Sequence, residues 1–544
     1  MTWWKRTWHD WYRRFDGLTD LQRVIVLFFC IVILHVPSLQ HVYLAAVNYD
    51  DGRDILVASH ILRNGEFPLR GPFAAGGFNI LRNSPLYYYL IALFHLAGGY
   101  SLAGTYLLWI LVSVCSVSLL YSVIVYIWHD RNIAVVSAVL AGIHPLYFAV
   151  SGTIAQPYLL TILTSIMLVL IFKPEHRLSD VLWMIVVLSV GMHIHLSMVL
   201  LVPVISVWIG ITSYRLYMRS HRSIEVLLWP VAVAFVSAVY WFALTFRQSV
   251  MDQADAVLSG KFISLHEIQS AFPRIIATWI DLVVGIDRQN TPVFIGMVSI
   301  IIGAMFFSGI LYPGKTRREH LYWLALLFIT PLYYSIFYRG TVVNGYFIVL
   351  LPIMMVVGAG VIHMISRIHI YAGAGTVLFV GYVFVQSALP QIFPFAQIHI
   401  FESMQSVVHA IDINQQVRAG KTDEAARDDF WIAFVSSEPG VLVDSWQTGS
   451  FWYLLERRIR HVYVRVVDAD INFTVRNRHP KYLYLICDVR VLRMYSDIDD
   501  CGYWVDQMNQ MYGLSSEELR TINPYVLYGI PLSPESLEKL PQIF

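Results

Sequence analysis

Three carboxylates crowd the phrase NYDDGRDILVASH at 48–60: Asp50 and Asp51 are adjacent, and Asp54 follows one helical turn on. The phrase comes directly after an almost wholly apolar run from Val24 to Val47, long enough to cross a bilayer. In a helix two adjacent side chains point about 100° apart, so the pair cannot share one ligand neatly. One carboxylate can sit in the first turn of an interfacial helix ending near Asn64-Gly65, offsetting the exposed N–H groups and the positive dipole end, while the other faces a cavity. At the outer membrane surface such a carboxylate suits a general base, serving a substrate whose other half is dissolved in the bilayer. Sugar transfer from a polyprenyl phosphate needs little more. Its leaving group is already a weak base, so a base for the acceptor hydroxyl and cations for the phosphate suffice without a general acid. Soluble glycoside hydrolases use two opposed carboxylates, a spacing this sequence lacks.

The elements that must hold such a site follow from composition. The 544 residues are 57% hydrophobic and 14% charged, with a mean hydropathy of +0.58, which defines a polytopic membrane protein. The net charge of +1 is spread over short loops rather than gathered into a stripe, so neither a nucleic acid nor a soluble polyanion is implied as a partner. The basic, aromatic start MTWWKRTWHDWYRRF suits an interface, and no small-residue cleavage site follows it, so it reads as a retained anchor.

Lys and Arg collect in that tail, around Arg131, in KPEHR at 173–177, YRLYMRSHR at 214–222, KTRR at 315–318 and SRIH at 366–369, which assigns those segments to the cytoplasm. Between them lie about eleven spans, roughly 24–47, 101–128, 133–150, 154–172, 180–192, 195–212, 227–246, 292–312, 320–338, 345–365 and 371–392. An odd count puts the C-terminus outside. Tyr87 to Leu96 reads as a short helix dipping into the outer leaflet, and 180–212 as two short helices broken at GMHIH. The polar segments left over, 48–84, SGTIAQPY at 151–158, HIH at 193–195, 247–290 and YRGTVVNGY at 338–346, then all fall on the outer face.

The expected architecture is a transmembrane domain over 1–394, with a first outer loop at 48–100 and another at 247–290, followed by an extracytoplasmic α/β domain over 395–544. The 247–290 segment has helical apolar spacing and reads as an interfacial lid, closing over a bound lipid chain or only packing. Strand-like alternation in HVYVRVV and KYLYLICDV marks the second domain, as do charge-rich helical pieces such as SPESLEKL. That domain holds Cys487 and Cys501, as a disulfide or as free thiols.

The stretches YDDGRDILVASHILRNGEFPL and NSPLYYYLIALFHLAGGYSLAG resemble the first outer loop of GT-C fold, lipid-linked-sugar glycosyltransferases, the superfamily of the protein O-mannosyltransferases and the lipid A aminoarabinose transferase. Those enzymes carry an acidic pair after the first span and a Pro-Pro-Leu-Tyr-Tyr phrase. The resemblance implies that Asp50 is the proposed base and Asp51 its companion. It extends weakly to YRGTVVNGYFIVLLPIMM, where Arg339 matches a leading basic position and Tyr346 a family Tyr, while Asn344 replaces a common Arg. Only 48–90 is a specific match; the rest, to about residue 390, matches as architecture.

This chain departs from the pattern in two places. Gln156 stands where many relatives have an acidic residue, so a metal ligand or second carboxylate is missing there. GMHIHLS replaces a Thr-Lys-Gly phrase, leaving His193 and His195 where a phosphate-neutralising Lys is expected. Two histidines at i and i+2 face opposite sides of a helix, and a chelating pair would need extended backbone at the break. Each alone reads as a satisfied polar contact in an interhelical cavity rather than a metal ligand, while depth in the membrane keeps both as functional candidates. Arg53 and Arg82 flank the acids and either bind substrate or snorkel to lipid headgroups.

The resulting reading is an inverting glycosyltransferase of the plasma (cell inner) membrane, moving a sugar from a polyprenyl-phosphate donor to a glycan, lipid or protein acceptor. It has catalytic Asp50 and Asp51 and substrate-binding Arg53, Arg82, Gln156, His193, His195, Arg339 and Tyr346. No cofactor is fixed by the sequence, and a divalent metal stays open. The rival is a polytopic transporter or flippase, though such proteins place broken helices at the midplane and show repeated halves, and no repeat is visible here. The topology has a direct test. Single cysteines at Arg70, Ser259 and Glu517 are expected to react with an impermeant thiol reagent in intact cells, whereas one at Thr316 reacts only after permeabilisation; labelling of 517 only in opened cells would reverse the C-terminal domain.

Overall fold

The computed structural model describes residues 17–37, 49–65, 67, 84–152, 154, 156–219, 224–245, 323, 348–392, 395–418, 430–435, 442–443, 465–467, 470–472, 482–489, 500–512, 514–522 and 525–533. The chain divides into two compact units: 1–39, 70–87 and 106–393 form the first, and 40–69, 88–105 and 394–544 the second.

The first unit is helical. Helix α1 (Asp20–His35) is started by a capping box in which Thr19 and Gln22 satisfy each other's backbone N–H groups. Its buried residues, Arg23, Leu27, Ile31 and His35, recur every four positions, while Phe29 and Ile33 on other faces are 59% and 71% exposed. A helix apolar on its exposed side as well as its buried one is matched to lipid rather than water. The expected span 24–47 is helical from Asp20, and Pro37, without an N–H to donate, follows the end of the α-helix. Residues 38–48 lie outside the described residues.

Helix α2 (Tyr49–Asn64) belongs to the second unit, and the unit boundaries pass within α3 (Leu86–Ala97) and α4 (Leu102–Trp128). The expected short helix at 87–96 corresponds to α3. The expected span 133–150 is two helices, α5 (Arg131–Gly142) and α6 (Pro145–Gly152). Pro145 fits a first helical turn and no interior position, and His144 before it accepts the Leu146 N–H through Nδ1 at 3.2 Å. His35 of α1 donates from Nε2 to the Gly142 carbonyl at 2.8 Å and stacks on Phe148, so the break is tied to α1.

A 3₁₀ turn (Gln156–Leu159) leads into α7 (Leu160–Phe172), followed by α8 (Leu178–Ile194), α9 (Val202–Arg219) and α10 (Glu225–Thr245). The expected break at GMHIH is present: α8 stops at Ile194 and a second 3₁₀ turn (Leu196–Leu200) separates it from α9. Helices α11 (Leu351–Ile368) and α12 (Ile370–Ile392) complete the described part of the unit. Among the described residues, Gly104–Trp128 and Ile348–Ile368 are long and apolar enough to cross a bilayer. Spans 292–312 and 320–338, apart from Trp323, and the outer loop 247–290 lie outside the described residues.

Ion pairs sit at the loops assigned to the cytoplasm. Arg131 grips Asp20 at 2.9 Å, the Tyr121 hydroxyl donates to the same carboxylate at 2.9 Å, and Lys173 pairs with Asp180 at 2.5 Å.

In the second unit, α13 (Phe395–Arg418) precedes a five-stranded sheet of order β2-β1-β5-β7-β6. Its strands are β1 (Phe430–Val435), β2 (Leu442–Val443), β5 (Tyr482–Asp488), β6 (Glu517–Ile522) and β7 (Tyr525–Pro531), and β3 (Arg465–Val467) with β4 (Asp470–Asn472) forms a separate ribbon. Strands β1 and β5 run parallel and the other pairs antiparallel. The central strand β5 is buried from Tyr482 to Cys487, a continuous apolar run as expected when both faces of a sheet are covered. Leu483, Leu485 and Cys487 share a core with Cys501 and Val505 of α14 (Cys501–Tyr512), while Tyr484 donates its hydroxyl to Asn414 of α13 at 2.7 Å.

Cys487 and Cys501 are joined in a disulfide that fastens α14 to the end of β5. The closed loop spans a sequence separation of 14, for which chain-entropy arguments give about 3 kcal/mol. Replacing both cysteines by Ser is expected to lower the thermal unfolding midpoint of the purified protein, and dithiothreitol should reproduce the shift in the wild type only.

Candidate active site

The acid phrase folds as α2, whose end is set by Gly65: its φ of +68° is the left-handed conformation that glycine adopts without strain, and its N–H caps the Ile61 carbonyl at 3.2 Å. Asp50, Asp51 and Arg53 occupy the first turn or so of this helix, with positions 50 and 54 on one side of it. Between Asp54 and Ile61 the described side chains of the helix are enclosed. Ile55, Val57, Ala58, Ser59, His60 and Ile61 are all buried, so this segment is no passive helix lying on a surface. Asp54 itself is 0% exposed. A carboxylate withdrawn from water is expensive unless its surroundings compensate, which marks it as a functional candidate. Sequence reading noted Asp54 but left it out of the site; its spacing of four from Asp50 was the available signal.

The phrase NSPLYYYL builds the junction that follows. Ser84 accepts the Leu86 N–H at 3.2 Å at the start of α3, and Tyr87 donates its hydroxyl to the Ile154 carbonyl at 2.6 Å while standing edge-on to Trp109. Ile154 lies in the segment SGTIAQPY, two residues before Gln156. The Gln156 side chain is 6% exposed, and its Nε2 has no hydrogen-bond partner among the described residues. An amide donor held in that state is fit to meet a ligand oxygen.

Five residues connect α7 to α8, so the two form an antiparallel hairpin, and α8 also packs against the Gln156–Leu159 turn. His193, near the end of α8, is therefore level with that turn, and it is buried. His195 has extended backbone (φ −157°, ψ 139°) and accepts the Ser197 N–H on Nδ1 at 3.1 Å. The extended geometry needed at the break is present, but one ring nitrogen of His195 is committed to capping the second 3₁₀ turn. Among the described residues no group of three or more His, Cys, Asp or Glu is arranged to hold a metal ion. Arg82, Arg339 and Tyr346 lie outside the described residues. The acid helix belongs to the second compact unit, and Gln156, His193 and His195 to the first.

A bundle of apolar helices interrupted at polar turns, with an acidic helix after the first span and a terminal mixed sheet, defines a polytopic α-helical membrane protein. Its architecture is the GT-C fold of ArnT. Over 94% of this chain and 98% of that one, it matches the crystal structure of ArnT from Cupriavidus metallidurans in the apo state, with a TM-score of 0.53 and 11% identity. The structure of the same protein bound to undecaprenyl phosphate matches over 93% and 97%, with a TM-score of 0.51 and 10% identity. No family model and no curated protein matches the sequence.

Tyr87→Phe checks the junction. It leaves the Ile154 carbonyl without its buried donor, which is expected to cost about 1–3 kcal/mol and to lower the unfolding midpoint in detergent. An unchanged midpoint would mean that another group satisfies this carbonyl.

Proposed function

We propose that this protein is an inverting glycosyltransferase that moves a sugar from a polyprenyl-phosphate donor to a glycan, lipid or protein acceptor at the outer face of the plasma membrane. The observation that carries the reading is the nearly full-length likeness to ArnT, a protein whose structure is known bound to undecaprenyl phosphate. The acid helix after the first span gives that likeness a chemical content. Grouping of 40–69 with 394–544 in one compact unit supports placing the first loop and the C-terminal domain on the same side, with about eleven crossings between the termini.

The reaction is a single displacement. The acceptor oxygen attacks the anomeric carbon, the bond from that carbon to the phosphate oxygen breaks, and the polyprenyl phosphate leaves with the electron pair. The acceptor proton passes to the Asp50 carboxylate, and Asp51 orients the acceptor or caps α2. Cations must meet the charge on the departing phosphate. Arg339 is suited to this because its planar fork can hold two phosphate oxygens, with Arg53, Arg82 and Tyr346 contributing to donor binding. Gln156, His193 and His195 supply neutral polar contacts to the substrate. A divalent metal, where one is used, would add to the charge on the phosphate side.

Asp50→Asn is expected to lower turnover by about 10²–10⁴, the usual worth of a positioned general base, with donor binding nearly intact. Arg339→Ala is expected to weaken both binding and turnover, with Arg339→Lys recovering only part. The measurement is donor binding and sugar transfer in detergent across a panel of polyprenyl-phosphate sugars. Normal transfer by Asp50→Asn would remove the base assignment. Failure of the wild type to bind any donor in the panel would favour a transporter.

A further inference from the structure

A buried relay joins the acid helix to the turn between α3 and α4. His95, near the end of α3, has its Nδ1 2.9 Å from Thr105 Oγ1 and its Nε2 3.5 Å from Ser59 Oγ, and Ser59 and His95 are each 4% exposed. The directions of these bonds follow from the far end. Thr105 donates its hydroxyl to the Ser101 carbonyl at 3.0 Å, so its oxygen receives the proton of His95 Nδ1. Nε2 then carries the lone pair, and Ser59 must donate to it. The Nε2 contact is long, but it lies away from water, where a hydrogen bond is electrostatically stronger.

The turn is shaped around this ring. Gly98 and Gly104 approach so closely that a Cβ on Gly98 would stand 2.6 Å from the Gly104 carbonyl carbon. Tyr100 takes the left-handed conformation (φ 59°), unusual for a bulky residue, and its N–H bonds the His95 carbonyl at 2.9 Å. Its ring stands edge-on to His95 with centroids 6.0 Å apart. Backbone strain of this kind persists where surrounding structure enforces it. Here it brings an aromatic edge against the imidazole.

We propose that His95 is a positioning residue for the transferase reaction: through Ser59 it fixes the rotation and axial position of α2, and so the placement of the acid pair in that helix's first turn. The proposal rests on the transferase reading above. Ser59 is nine positions beyond Asp50, about 13 Å along the helix axis, so a small rotation or slide at Ser59 is carried by the rigid helix to the base. General-base catalysis is sensitive to displacements of that order.

The test separates the two ring nitrogens. His95→Gln can place an amide near the former Nε2 and keep a partner for Ser59, whereas His95→Asn reaches only as far as Thr105; Ser59→Ala removes the donor with little change in volume. Transfer kinetics are measured with the donor the wild type uses, alongside the unfolding midpoint. The expected result is a 10- to 100-fold lower kcat for Ser59→Ala and His95→Asn, with donor KM within about twofold, and substantial recovery in His95→Gln. A loss explained by misfolding would lower the amount of active enzyme in all three variants alike, including His95→Gln, and would overturn the proposal. So would full kcat in Ser59→Ala while the wild type is active, leaving the transferase reading intact. A wild type that transfers no sugar from any donor in the panel would overturn the transferase reading, and the positioning role with it.

Discussion

A backbone amide or carbonyl left without a partner in hydrocarbon costs several kcal/mol, so wherever a membrane chain breaks a helix something must stand in for the lost bond. This chain breaks its helices often, and side chains fill the gaps. His144 accepts the Leu146 N–H before α6, His195 accepts the Ser197 N–H before the second 3₁₀ turn, and Ser84 accepts the Leu86 N–H before α3. On the carbonyl side, His35 donates to Gly142 and Tyr87 donates to Ile154. Histidine recurs because one neutral ring offers a donor and an acceptor without adding charge to the bilayer. Lysine in those places would bring a charge that must itself be paired.

The same constraint relates the breaks to the polar segments. An interrupted helix exposes backbone groups, and these are tolerable where protein or an aqueous cavity, rather than lipid, surrounds them. Gln156 opens one 3₁₀ turn and His195 caps the other, so both sit at structural breaks. A residue there has two duties. His195 gives its Nδ1 to the backbone, and any role toward a ligand falls to the rest of the ring, whereas the buried Nε2 of Gln156 is without a partner among the described residues.

Which parts were legible follows from what each signal averages over. The apolar runs announced the helices, and GMHIH announced a break because it interrupts a run with polar residues. The break at His144-Pro145 was passed over inside an expected span at 133–150, since one proline in an apolar window barely lowers its mean. The acid pair was conspicuous because carboxylates beside a bilayer are costly without a purpose. The burial of Asp54 was not legible, nor the Ser59–His95–Thr105 relay, because each depends on which helices close over α2. Periodicity reports one element's faces but not what covers them. The disulfide was left open for a related reason: two cysteines 14 apart become a pair only when β5 and α14 are laid side by side.

An identity of 11% with a protein of the same fold is physically reasonable for this architecture. Lipid-facing positions need only be apolar, and bilayer thickness fixes helix length whatever the residues. On the transferase reading, the chemistry demands few groups as well: one base, and charge for a phosphate. Such a site can be rebuilt at several positions without disturbing the bundle. Neutral donors can orient a phosphate without neutralising it. The cationic part of such chemistry suits arginine, whose planar fork stays charged and is weakly hydrated.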